Sequence, residues 1–274
     1  MYTSKKQAFQ AAGVNSILSI NADSKTTKGA EHGYLTGILY MLSHTDATQA
    51  AGVKGTVCPN AVNAGCSAAC LVSAGRGKFN SVIEGRKKRS VAFLTRREAF
   101  MVSLWYDIQA LVKKAQKAYQ VPCVRLNGTS DIDYTSIRFT APNGFHGNIF
   151  EHYPNIQFYD YTKNTHINIS ELPDNYTVTF SYSEYSAKYA AKSYHAAIRN
   201  NTGLAVVFRD SLPDTFKGLP VIDADKTDLR FLDKKENNIT GPYIVGLKAK
   251  GSAKKDNSGF VIDASKNNNI IMAA

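Results

Sequence analysis

Gly33-Tyr34-Leu35-Thr36-Gly37-Ile38-Leu39-Tyr40-Met41-Leu42 is short, apolar and aromatic, without a polar residue at every second position. Such a run reads as a strand buried on both faces, as strands of a parallel sheet are. The same texture returns beyond Pro122, in Val124-Arg125-Leu126-Asn127, Ile156-Gln157-Phe158-Tyr159-Asp160-Tyr161 and Tyr176-Thr177-Val178-Thr179-Phe180. Leu204-Ala205-Val206-Val207-Phe208, Tyr243-Ile244-Val245-Gly246-Leu247 and a weaker Pro220-Val221-Ile222-Asp223 continue it. Strand and connection repeat at roughly 20–35 residues, and some connections are helical in pattern, such as 186–200, which makes this a series of βα units. The fold class expected is α/β: a single-domain partial or complete (β/α) barrel with mainly parallel strands, with an open doubly wound sheet as the alternative. One domain is expected over residues 1–274, with mobile ends at 1–25 and 263–274 because those stretches are polar and turn-rich or Asn-rich. Polar residues close the strand runs at Asn127, Asp160, Ser181, Arg209, Asp223 and Lys248. C-terminal strand ends are where βα folds place their sites.

A chain that is 43% hydrophobic and 20% charged is globular, which excludes a disordered or collagen-like protein. No run approaches the roughly 18 apolar residues of a membrane span, so no membrane partner is expected. Residues 1–7 lack the apolar core of a secretory signal, which predicts an intracellular protein with reduced thiols. The net charge of +11 is concentrated: residues 54–125 hold 13 Lys and Arg against 3 Asp and Glu. So local an excess points to an anionic partner, most commonly nucleic acid.

Residues 80–119 have helical apolar spacing with no Pro or Gly after Gly85, and Trp105 and Tyr106 are expected in the core. Arg76, Lys78, Arg86, Lys87, Lys88, Arg89, Arg96 and Arg97 are answered only by Glu84 and Glu98. Arg76, Arg86, Lys87, Lys88 and Arg89 are therefore candidate phosphate contacts, against the plainer reading of a solvated helix face.

Cys58, Cys66 and Cys70 are spaced C-x7-C-x3-C. Pro59 and Gly65 would let the loop fold back, and thiolates so gathered favour zinc or an iron–sulfur cluster. The competing reading is three ordinary cysteines, some of them in the core. Cys123, between Val121 and Val124, reads as a core cysteine, which would leave a three-thiolate site with an open, reactive position. Asp223, Asp225, Asp228 and Asp233 put four carboxylates within 11 residues. They would serve a divalent metal or acid–base work, or simply cap a turn with Asp228 paired to Arg230. The six histidines are scattered, and no phosphate-cradling glycine loop, nucleotide fingerprint or nucleophile elbow appears.

Several segments in one order resemble the phage "gene product eighty-eight" family: Gly33-Tyr34-Leu35-Thr36, Cys58-Pro59 with Gly65-Cys66 and Cys70, and Ala74-Gly75-Arg76-Gly77. To these are added 125–131, 158–163, 223–233 and 246–251, spanning about residues 25–262. The resemblance implies a phage or prophage protein in the cytoplasm of an infected bacterial host, and a family of unknown function. The cysteine loop followed by Asn127-Gly128-Thr129-Ser130-Asp131 also resembles radical S-adenosylmethionine enzymes. That resemblance implies Cys58, Cys66 and Cys70 on an iron–sulfur cluster, with Gly128, Thr129 and Ser130 binding S-adenosylmethionine. The spacing departs from that family's C-x3-C-x2-C.

These readings converge on an enzyme acting on nucleic acid or a nucleotide, with a three-cysteine metal site at the barrel mouth and Asn127, Asp131, Asp160 and Asp223 lining the pocket. A metal-free barrel with an Asp nucleophile is a variant. Two non-enzymatic readings stand beside it. One is a basic nucleic-acid-binding protein whose structural zinc is completed by Cys123 or His146. The other is a protein that contacts a host defence protein, its cysteines in the core.

Overall fold

The structure is a computed structural model that describes residues 2–20, 24–67, 70 and 75–265, without the side chains of 24–26, 75, 76 and 252. The chain divides into two compact units. The first comprises Met1–Pro59, Arg76–Asp160 and Leu172–Thr177; the second comprises Asn60–Gly75, Tyr161–Glu171 and Val178–Ala274.

The first unit holds α1 (Lys5–Ala12), β1 (Leu18–Ile20), α2 (Ser24–Glu31), β2 (Tyr34–Leu39), α3 (His44–Ala51), α4 (Asn80–Thr95) and α5 (Arg97–Lys117). It continues with β3 (Val121–Arg125), β4 (Phe139–Thr140), β5 (His146–Gly147), α6 (Ile149–His152) and β6 (Gln157–Thr162), whose last two residues fall in the second unit. β2 pairs parallel with β3, Thr36 opposite Cys123, and β3 parallel with β6, Val124 opposite Phe158. β1 runs antiparallel on the other side of β2. Leu35 through Leu39 are all buried, so this strand is covered on both faces as its unbroken apolar run predicts. Gly37 is there for closeness: a Cβ would lie 3.0 Å from both Leu111 Cδ2 and Leu18 Cδ1.

The α5 helix supplies more of that unit's core than any other element, with Phe100, Met101, Leu104, Ile108 and Leu111 all at 0% exposure. Trp105 and Cys123 are buried too, as their sequence context predicts. The helical pattern of 80–119 is realised as two helices, because the backbone leaves helical geometry at Arg96 (φ −140°, ψ 48°). Just before the break, the Thr95 hydroxyl donates to the Val91 carbonyl at 2.7 Å. Such back-bonding bends helices.

The second unit holds β7 (Tyr176–Ser181, its first two residues in the first unit), α7 (Ala187–Arg199), β8 (Gly203–Phe208), β9 (Thr215–Phe216), β10 (Leu219–Asp223), α8 (Asp233–Glu236), β11 (Tyr243–Lys248) and β12 (Val261–Ile262). The order is β7-β8-β11-β10-β9 with β12 also on β8, all parallel except β9 against β10. Both units are mixed α/β with mainly parallel strands. No described pairing closes either into a ring, so a complete barrel is not confirmed. At the edges β1, three residues long, and β9, two residues long, each end a row by pairing antiparallel.

Candidate functional site

In the first unit, β3 and β6 deliver their C-terminal ends side by side, and Asn127 follows β3 into a buried polar cluster. The Asp160 carboxylate of β6 accepts from the Asn127 backbone N–H at 2.6 Å, the Asn127 side-chain amide at 3.3 Å and the Tyr176 hydroxyl at 3.1 Å. Asn127 spends its remaining capacity locally. Its amide donates to the Ile132 carbonyl, and its oxygen accepts from Ser130 Oγ at 2.7 Å and Ile132 N at 2.9 Å. Asp160 is 1% exposed, and burial pushes its carboxyl up to about 7 despite these donors and the Arg125 guanidinium. The same carboxylate raises Tyr134 and Tyr176, whose hydroxyls are held protonated first of all by burial. The Tyr134 hydroxyl is buried with no hydrogen-bond partner among the described residues. A carboxyl poised near neutrality beside an amide and phenols can exchange a proton at physiological pH.

The loop 128–131 is built into the fold. A Cβ on Gly128 would sit 2.7 Å from the Leu39 carbonyl oxygen and 2.7 Å from the Tyr40 ring, so the missing side chain is what lets the loop cross the end of β2. Thr129 Oγ1 donates to Met41 O at 2.6 Å and accepts from Met41 N, and Asp131 N donates to Val57 O at 2.9 Å. The structure thus brings together Asn127, Ser130 and Asp160. It places Asp131, 9% exposed, at the end of their loop. Tyr134, Tyr176 and Arg125 complete the cluster. Sequence reasoning did not single them out for this role, since spacing carries no sign that strands distant in the chain will bury them against Asp160.

The basic block divides along α4. Lys87 and Lys88 face solvent, whereas Arg86 and Arg89 are buried at 7% and 9% exposure. Arg89 Nε donates to the Tyr40 carbonyl at 2.7 Å, and the Arg86 guanidinium lies 5.4 Å from the centre of the Tyr40 ring. Burial, then the like charge of Arg86, lowers Arg89 to about 10. The two arginines thus face the chain as it leaves β2, while Lys87 and Lys88 face solvent. The Arg76 side chain lies outside the described residues.

Of the cysteines, Cys58 belongs to the first unit and Cys66 and Cys70 to the second. Cys58 Sγ accepts from His44 N at 3.4 Å and donates to Thr129 O at 3.7 Å, and Cys66 Sγ donates to Ala61 O at 3.7 Å. None of the four cysteines is in a disulfide. Among the described residues no three His, Cys, Asp or Glu side chains are grouped to hold a metal ion. Cys123 packs against Thr36 Oγ1 at 3.3 Å, and the exposed His146 bonds Thr140 at 2.9 Å.

In the second unit the acidic run is absorbed by turn and ion-pair contacts. Asp223 Oδ1 accepts from Asp225 N at 3.0 Å, and Asp225 meets Lys250 Nζ at 2.5 Å. Arg230, 2% exposed, pairs with Asp233 at 3.3 Å and donates to the Thr227 carbonyl. Asp228, which the sequence suggested as the partner of Arg230, adds its charge beside that pair. Burial raises Asp233 to about 6, with Arg230 opposing.

The sequence matches the family described as Gene product 88 over residues 16–264, which is most of the chain. The chain belongs to that family. It is a phage family of unknown function, and its span contains the Asp160 cluster, α4 and the acidic run alike. No curated protein and no solved structure matches the chain. The family match carries no support for the radical S-adenosylmethionine resemblance. Among the described residues no helix is long and apolar enough to cross a membrane.

Proposed function

We propose that this Gene product 88 protein binds nucleic acid through the solvent face of α4, in the cytoplasm of an infected bacterial host. One observation carries the reading: two large apolar side chains, Phe79 at the N-cap of α4 and Ile83 in its first turn, remain 59% and 41% exposed ahead of the exposed Lys87, each four residues from the next. Lys78 and Lys88 flank that row in solvent, with Glu84 as the acidic exception. Exposed cations interleaved with an exposed ring suit a phosphate backbone and the faces of its bases. Fluorescence anisotropy with a labelled oligonucleotide tests this. The Lys87→Glu, Lys88→Glu double variant is expected to bind at least tenfold more weakly, roughly 1.4 kcal/mol, with a shallower salt dependence. Unchanged affinity in a folded double variant refutes the proposal.

A second reading, an enzyme acting on the bound nucleic acid, is favoured by the Asp160 carboxyl near neutrality, which suits proton transfer. Its work would fall to Asp160 with Asn127 and Tyr176 as positioning partners, on a base that is unpaired or flipped. Mass spectrometry of oligonucleotides incubated with the protein decides it. A modified or cleaved product formed by wild type and lost in Asp160→Asn supports the enzyme; an unaltered mass removes it.

A further inference from the structure

The α5 helix ends on an aromatic residue in the left-handed conformation, where the other described helices that close this way end on Gly or Asn. The N–H of Tyr119 donates to Gln116 O at 3.2 Å and that of Gln120 to Ala115 O at 2.9 Å, the double bond that closes a helix through one left-handed residue. That residue is Tyr119, at φ 55°. The same closure uses Gly13 after α1, Gly52 after α3, and Asn201 after α7, and Asn238 takes the left-handed position after α8. Glycine and asparagine are the residues that tolerate it, whereas a Cβ-bearing aromatic is crowded there. Packing offers no compensation, since Tyr119 is 97% exposed. Neither backbone geometry nor the core accounts for an aromatic ring at this position.

The surroundings indicate what the ring meets. Lys113, Lys114 and Lys117 on the last turns of α5 are all exposed, and residues 108–130 contain no Asp or Glu. Gln116, whose carbonyl receives the Tyr119 N–H, also lines an open cavity of about 460 Å³. There Gln109, Lys113 and Gln116 share the lining with His152, Tyr153 and Asn155, all within the first unit. Amide and imidazole groups of this kind bond the edges of unpaired bases, and lysines take the phosphates.

The geometry points to Tyr119 as a base-stacking residue for single-stranded nucleic acid, with Lys113, Lys114 and Lys117 on its backbone. This rests on the nucleic-acid reading above and deepens it by naming the strand state and a second contact. A projecting phenol finds its stacking surface most readily on an unpaired base, because inside a duplex the base faces are covered by their neighbours.

The test uses the full chain and two probes, a labelled oligodeoxythymidine of about 20 nucleotides and a duplex of equal length. Tyr119→Gly is expected to move stability and binding in opposite directions. Relief of the left-handed strain raises Tm by about 2 °C, while loss of stacking weakens single-strand binding about tenfold and leaves duplex binding unchanged. Tyr119→Trp, which keeps a stacking ring, retains single-strand affinity within about twofold. Wild-type single-strand affinity in Tyr119→Gly overturns the inference, as does a fall in Tm accompanying weaker binding, which would make the residue structural. If the Lys87→Glu, Lys88→Glu variant is weakened and Tyr119→Gly is not, the stacking inference alone fails. If the wild-type chain binds neither probe, both readings fall.

Discussion

Asp160 and Asp107 show how much a single buried carboxylate organises in this protein. Asp107 on α5 accepts the backbone N–H groups of Ile17 and Leu18 at 2.6 and 3.2 Å, and Lys5 Nζ of α1 at 3.2 Å. It fastens the N-terminal segment to the core helix. Asp107→Ala leaves two backbone donors unmet, and chemical denaturation should show a loss of about 1–3 kcal/mol; an unchanged midpoint would mean that water replaces the carboxylate. Asp160 acts through its proton. Its carboxyl is raised from the ordinary 3.8 to about 7, so the folded protein holds that proton more tightly than the unfolded chain does. The stability this provides is complete below about pH 4 and is lost as pH rises towards 7, at up to about 1.4 kcal/mol per pH unit. Denaturation midpoints measured from pH 5 to 8 should therefore fall more steeply for wild type than for Asp160→Asn. Equal slopes would show that Asp160 does not titrate in this range. Neither partnership is written in local spacing, since Asp107 and Ile17 are 90 residues apart and Asp160 and Asn127 are 33 apart.

At the scale of elements, α4 has two faces with different work. Arg86, Arg89 and Ser90 face inward. Ser90 Oγ accepts from Leu42 N at 2.9 Å and donates to Arg86 O, so the inner face holds the chain as it leaves β2. Arg89→Ala removes a buried charged donor from the Tyr40 carbonyl and should lower stability by roughly 2 kcal/mol, whereas changes at Lys87 and Lys88 leave the thermal midpoint where it was. A thermal-shift comparison of the three variants checks the division, and equal effects would contradict it. The loop after β3 depends on β2 in the same way. Gly128→Ala drives a Cβ against the Leu39 carbonyl and is expected to destabilise by about 1–3 kcal/mol. The strands β2, β3, β6, β7, β8, β10 and β11 and the helix α7 were legible because each is a run of the right texture bounded by polar residues. The two-residue strands β4, β5, β9 and β12 were not, since so short a pair has no pattern of its own. The break at Arg96 lies in a stretch that every local preference marks as helix.

For the molecule as a whole, the +11 charge predicts binding that salt weakens. With about four phosphates engaged, single-strand affinity should drop roughly 50-fold between about 50 and 200 mM salt; a flat response in a titration would remove electrostatics as the driving force. Composition, charge placement and the recurring apolar runs determined by themselves that this is an α/β protein with mainly parallel strands and a basic segment, and the order of its motifs marked its family. These properties follow from how many apolar side chains must leave water and at what period, which is written along the chain. Tertiary structure alone decided that the described strands of neither unit close into a ring, and that Arg86 and Arg89 turn inward while Lys87 and Lys88 turn out. It decided likewise that Asp160 is buried among Asn127, Tyr134 and Tyr176. Burial and proximity between residues tens of positions apart are set by packing, and packing carries no local signature.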